Sequence, residues 1–249
     1  MPASPPPNRV PPVTASFWAV KILATTVGET GADYLATHVG LGAAGTGMLM
    51  GALLVVALAW QLRQHRYVPP IYWLTVVLVS VVGTQITDAL TDGLGVSLYA
   101  STAAFAVALA ALFVAWARVE HTLSIRTIVT RRREWFYWSA ILLTFALGTA
   151  AGDLATEALG LGFRLGVVVF LAGIAAAGAA YVAGANAVAT FWVAYILTRP
   201  LGASVGDFLS QAREYGGLGA GTVLTSVVFL ALIATLVSIE TFRKARATS

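Results

Sequence analysis

In "GETGADYL", residues 28–35, Glu29 and Asp33 stand one helical turn apart inside an apolar stretch. The segments "GTQITDAL", "GTAAGDLA" and "GASVGDFL" place Asp88, Asp153 and Asp207 in the same setting, each five residues after a Gly. Carboxylates held in apolar surroundings can take up protons or bind hard cations through oxygen. There is no Cys, the only methionines in apolar stretches are Met48 and Met50, and His38, His65 and His121 fall in loops or at the ends of those stretches. Soft copper and tetrahedral zinc sites therefore lack ligands, whereas Asp33, Asp88, Asp153, Asp207 and Glu29 suit Mn, Mg, Ca or a proton. No resident cofactor is expected.

The elements that carry these groups must be membrane helices. The chain has 249 residues, 58% of them apolar and only 10% charged, and its mean hydropathy is +0.82. A soluble domain carries about 25% charged residues. Crossing a bilayer takes about 20 apolar residues. Runs of that kind are expected at roughly 14–36, 42–62, 71–91, 97–117, 136–156, 163–183, 188–209 and 220–240. The opening "MPASPPPNRVPP" holds six of the nine prolines and lacks the pattern of a signal peptide, so residues 1–13 are expected to form a disordered tail.

Eleven of the fifteen basic residues lie before the first span, between the second and third, between the fourth and fifth, or after the eighth. They include Arg131, Arg132 and Arg133, and a basic tail at 243–249. By the positive-inside rule both termini face the cytoplasm, in the plasma membrane of a bacterial cell. The net charge of +4 is thus topological, and no nucleic-acid partner is expected. The oligomeric state is not legible in the sequence.

A fourfold repeat emerges when the first helices of successive pairs are aligned: "FWAVKILATTVGETGAD", "YWLTVVLVSVVGTQITD", "YWSAILLTFALGTAAGD" and "FWVAYILTRPLGASVGD". Trp18, Trp73, Trp138 and Trp192 follow an aromatic residue and precede the Asp by fifteen positions; Gly28, Gly83, Gly148 and Gly202 stand ten after the Trp. With two spans per unit, every repeat enters the membrane in the same orientation. The fold class expected is an all-α polytopic membrane protein: eight transmembrane helices as four parallel two-helix repeats, at about 14–62, 71–117, 136–183 and 188–240. Trp is expected to anchor each repeat at the membrane interface. The repeated Gly, like Gly47 and Gly51 in "GMLMG", is expected to permit close helix packing.

This pattern resembles a bacterial family of membrane-anchored proteins built of four tandem repeats, each with two transmembrane segments and a characteristic Trp. The resemblance covers about residues 14–242 and rests on the four Trp positions. It implies the architecture and no assigned activity.

On a helical wheel, positions 7, 11 and 15 after the Trp fall on one face. Position +7 holds Thr25, Ser80, Phe145 and Arg199; position +11 holds Glu29, Thr84, Thr149 and Ala203. Each odd helix thus carries a polar stripe ending in Asp. Four such stripes facing inward would converge on a shared oxygen-rich site. Arg199, beside Pro200, needs a buried carboxylate partner, and Glu29 or a stripe Asp is the natural one. Lys21, one turn inside the membrane, can snorkel to the surface.

The leading expectation is a transporter or exporter of a small hard cation, divalent or proton-coupled, working through the carboxylates. The alternative is a non-transporting scaffold or sensor whose Asp–Arg contacts are structural. No nucleophile–base pair or metal-ligand motif suggests an enzyme.

Overall fold

The computed structural model describes residues 7–246 and is helical throughout, with no strand among the described residues. Eight long helices follow in order: α1 (Ala15–Asp33), α2 (Gly42–Arg63), α3 (Pro69–Asp88), α4 (Leu98–Glu120), α5 (Arg131–Asp153), α6 (Gly162–Val182), α7 (Ala187–Ser210) and α8 (Thr222–Arg246). Seven of them are long and apolar enough to cross a membrane. The exception, α1, carries Lys21, Glu29 and Asp33 within nineteen residues, yet it packs lengthwise among α3, α7 and α8. This is a multi-pass membrane protein.

Helix starts are set by side chains. Thr14, Ser97, Thr130 and Asn186 accept hydrogen bonds from backbone N–H groups of the first turns of α1, α4, α5 and α7, and a Pro opens α3. These satisfy donors that a helix N-terminus leaves unpaired. At the other end, α1, α3 and α5 each pass directly into one turn of π-helix, Tyr34–His38, Ala89–Gly93 and Leu154–Ala158. In all three the Asp is the residue immediately before the π-turn. Gly40, Gly95 and Gly160 then turn the chain with positive φ, a conformation costly for any residue with a Cβ. Repeat four differs: α7 carries Pro200 in its interior and runs on to Ser210 without a π-turn.

The odd helices form a closed ring, α1 against α3, α3 against α5, α5 against α7 and α7 against α1. Each even helix lies outside it, chiefly on the odd helix of the following repeat: α2 on α3, α4 on α5, α6 on α7 and α8 back on α1. The two helices of one sequence repeat are therefore not each other's main partners. Burial follows the division. The inner helices α3, α5 and α7 bury a dozen or more residues each, polar ones included, whereas α2, α4 and α6 bury five or fewer.

Two expectations about the chain ends are corrected. Residues 1–6 lie outside the described residues, but the segment just after them is fixed. The Arg9 N–H donates to the Ile128 carbonyl at 3.0 Å, Tyr67 N–H donates to Asn8 O at 3.0 Å, and Val10 is buried. Proline density does not keep this stretch loose, because Asn8 and Arg9 find partners on the loops between helices. At the other end α8 continues through Arg246, so Arg243, Lys244 and Arg246 form its last turn rather than a tail beginning at 243. Residues 247–249 lie outside the described residues.

Candidate functional site

The ring is held by one contact repeated four times. A Cβ built on Gly28 of α1 would meet Ser80 Cβ of α3 at 2.5 Å; on Gly83 it would meet Phe145 Cβ of α5 at 2.6 Å. On Gly148 it would meet Arg199 Cβ of α7 at 2.5 Å, and on Gly202 it would meet Thr25 Cβ of α1 at 2.5 Å. The Gly ten residues after each Trp thus receives the +7 side chain of the next repeat. Gly47 and Gly51 do not behave this way. Nothing lies within 4 Å of a Cβ at either position, and the close packing expected there is absent.

With this register the axis is layered, one layer per helical turn. At +3 stand Lys21, Val76, Ile141 and Tyr195, all buried; at +7, Thr25, Ser80, Phe145 and Arg199, all buried. At +11 Thr84, Thr149 and Ala203 are buried, and the Glu29 side chain is 12% exposed. The four Asp residues form the outermost layer and are half-buried. The stripe predicted from the wheel is therefore an interior one, and it extends a turn deeper than positions +7 to +15.

Arg199 fills the centre. Its Nη2 donates to Glu29 Oε2 at 2.6 Å and to Thr84 Oγ1 at 2.5 Å, and its side chain is 1% exposed. Glu29 and Arg199 are both within electrostatic reach of Asp33, Asp88, Asp153 and Asp207, and Gln85 Nε2 approaches Asp88 Oδ2 at 3.5 Å. The four carboxylates surround one ion pair. They do not form the chelate expected from the sequence: among the described residues no three His, Cys, Asp or Glu side chains are gathered to hold a metal ion. The physical reason is visible in the layer below. Carboxylates on four ring helices are held apart by the helix spacing of about 8–10 Å, and the central positive charge is already supplied by a guanidinium.

Lys21 does not snorkel. Its ammonium lies 4.0 Å from the Phe145 ring centroid and 4.4 Å from that of Tyr195, with Arg199 as an electrostatic neighbour. The side chain is too far inside the ring to reach a surface, and aromatic faces take the place of water around it.

The tryptophans depart from expectation in the same direction. Trp73, Trp138 and Trp192 are buried in the protein and Trp18 is half-buried; they do not lie as a belt facing lipid headgroups. Trp73 Nε1 donates to the Tyr67 hydroxyl at 3.0 Å, and Trp192 Nε1 to the Leu123 carbonyl at 3.0 Å. Together with the aromatic that precedes each of them they close the end of the ring opposite the Asp layer. There the Tyr72 and Tyr137 hydroxyls share a hydrogen bond of 2.5 Å. The Tyr195 hydroxyl stands beside that of Tyr137 without completing a bond of ordinary geometry. Beneath them Glu134, fully buried, receives Arg9 Nη1 at 2.7 Å and Gln61 Nε2 at 3.0 Å. Tyr67, in the connection between α2 and α3, has its hydroxyl pushed above the usual tyrosine range by burial and by Glu240 beside it.

Sequence reasoning missed Lys21, Tyr195, Tyr72, Tyr137 and Glu134 as parts of this interior. A signal for the first two was present: +3 lies one turn before +7 on the same face.

A family profile described as a Repeat of Unknown Function (DUF347) matches the chain four times, over residues 16–67, 71–122, 136–184 and 190–246. Neither a curated protein sequence nor a solved structure matches it.

Proposed function

From a chain that belongs to the DUF347 repeat family, whose function is unknown, we propose a membrane transporter of a small hard cation. Its cargo on this reading is a divalent ion such as Mn, Mg or Ca, or a proton. The observation that carries the reading is the Glu29–Arg199 pair on the ring axis, directly beneath four half-exposed carboxylates. Asp33, Asp88, Asp153 and Asp207 form an acidic mouth that concentrates cations. A cation or proton arriving at Glu29 competes with the guanidinium and weakens the 2.6 Å pair, which couples occupancy to packing of the ring. Thr25, Ser80, Thr84 and Thr149 supply hydroxyls along the same wall.

The distribution of Lys and Arg supports a bacterial inner-membrane location with the Trp end and both termini in the cytoplasm. The reading involves no enzymatic step. Flux of Mn, Mg, Ca and protons into liposomes containing the purified protein tests it, and absence of all four would overturn it.

A second reading is favoured by a specific observation. Arg199 touches Glu29 of α1, Thr84 of α3 and the Gly148 position of α5, so one side chain ties all four ring helices together. A scaffold or sensor would need that tie and nothing more.

A further inference from the structure

Two basic side chains stand on the axis below the carboxylates. Arg199 is bonded through Nη2, but its Nε and Nη1 atoms are buried with no hydrogen-bond partner, and Lys21 Nζ has none either. Lys21 is 1% exposed. The titratable groups of this interior are Glu29 on α1, Tyr72 on α3, Tyr137 on α5, and Tyr195 and Arg199 on α7. The other helix against α1, α8, carries no titratable side chain from Thr222 to Ile239.

A metal ion leaving the Asp layer would meet Arg199 and then Lys21 within a narrow ring of buried side chains. Like charges repel far more strongly there than in water, and a fixed positive side chain is a general means of barring cations from a pore. A proton need not stand in that space as an added cation, because it can move by replacement. An amine or hydroxyl that releases a proton on one side accepts another on its lone pair from the other side, and is left unchanged. The groups for such a relay follow in order along the axis: the Asp layer, Glu29 beside Arg199, Lys21, then the hydroxyls of Tyr195, Tyr137 and Tyr72. Lys21 lies against the Tyr195 ring, and Tyr137 is hydrogen-bonded to Tyr72.

We propose that the axis conducts protons and excludes metal cations, with Lys21 relaying the proton between the Glu29–Arg199 layer and the tyrosine hydroxyls. This rests on the transport reading of the same site.

The test uses the full-length protein in liposomes under an imposed membrane potential, with a pH-sensitive or a metal-sensitive dye inside. Proton entry above that of protein-free vesicles is expected, with no entry of Mn, Mg or Ca. Lys21→Met is expected to lower proton flux at least tenfold. Tyr195→Phe, which removes one hydroxyl and keeps the ring, is expected to lower it severalfold and decides the point if Lys21→Met does not fold. Metal entry through the unmodified protein would overturn the exclusion and leave the transport reading standing. Failure of protons and metals alike to enter would remove the transport reading itself. Unchanged proton flux in folded Lys21→Met, or in Tyr195→Phe where that variant decides, would overturn the relay.

Discussion

Gly202 of α7 lies against Thr25 of α1, so that a Cβ on the glycine would stand 2.5 Å from Thr25 Cβ. Thr25 Oγ1 also donates to the Thr198 carbonyl at 3.2 Å. This contact joins the last repeat to the first. Three copies of it would make a curved row of helices with two open edges; the fourth closes the row into a ring. Closure gives the protein an interior, and that interior holds Lys21, Arg199 and Glu29 away from lipid.

The closing contact predicts an asymmetry among glycines. Gly28→Val and Gly202→Val should each destabilise the protein by about 1–3 kcal/mol through overpacking, with larger losses where the backbone cannot shift. Gly47→Val, at a position of α2 where nothing lies within 4 Å of an added Cβ, should change stability by less than about 0.5 kcal/mol. Thermal unfolding in detergent compares the three. Equal losses at Gly47 and Gly202 would contradict the interlocking register.

The central ion pair predicts strong non-additivity. Removing one partner of a buried pair leaves an uncompensated charge and costs about 3–5 kcal/mol, so Arg199→Met and Glu29→Leu should each be severely destabilised. Arg199→Met combined with Glu29→Leu should lose clearly less than the sum of the single changes, because no charge is stranded. A double-mutant cycle reads the difference, and additive losses would show that the pair is not the coupled unit its geometry describes.

Much of this architecture was legible because the sequence repeats itself. Any property shared by Trp18, Trp73, Trp138 and Trp192 must be read four times, which fixed the helix register and the inward stripe and narrowed the partner of Arg199 to Glu29 or a stripe Asp. What could not be read was which helix lies beside which. Within a repeat, the hairpin is the natural expectation, yet α2 packs on α3 and α8 on α1, an arrangement set by ring closure and invisible to local pattern. The Trp positions were misplaced for a related reason. An aromatic at the end of an apolar run has the same sequence signature whether it faces headgroups or a neighbouring repeat, and only the ring decides. The Arg9–Glu134 contact spans 125 positions and has no periodicity to announce it.

That contact carries its own expectation. Arg9 is the cation nearest a fully buried Glu134, which Gln61 also holds. Arg9→Ala should therefore cost about 3 kcal/mol or more by stranding the carboxylate, and Arg9→Ala with Glu134→Gln should recover part of that loss. A loose N-terminal segment would show no change on Arg9→Ala. Equilibrium unfolding of the two variants separates the outcomes.

The acidic layer separates the two readings of function. An Asp→Asn substitution keeps the size of the side chain and much of its hydrogen bonding while deleting the charge. Asp33, Asp88, Asp153 and Asp207 are half-buried at the end of the ring, outside the Gly contacts that close it. Neutralising them relieves repulsion among like charges around Glu29, so folding should tolerate it: a change within about 1 kcal/mol per site is expected, the size of exposed charge effects. Transport should not tolerate it. The mouth would no longer concentrate cations, and the ion that loosens Glu29 from Arg199 would arrive less often. The variant with all four Asp changed should remain folded and lose most of its flux, with each single change giving a partial loss. Ion flux in liposomes, measured beside thermal stability on the same preparations, provides the check. Four Asn residues with unchanged flux would leave the transport reading without its mouth. Four Asn residues that unfold the protein would assign these carboxylates to the scaffold, whose contacts they would then be holding.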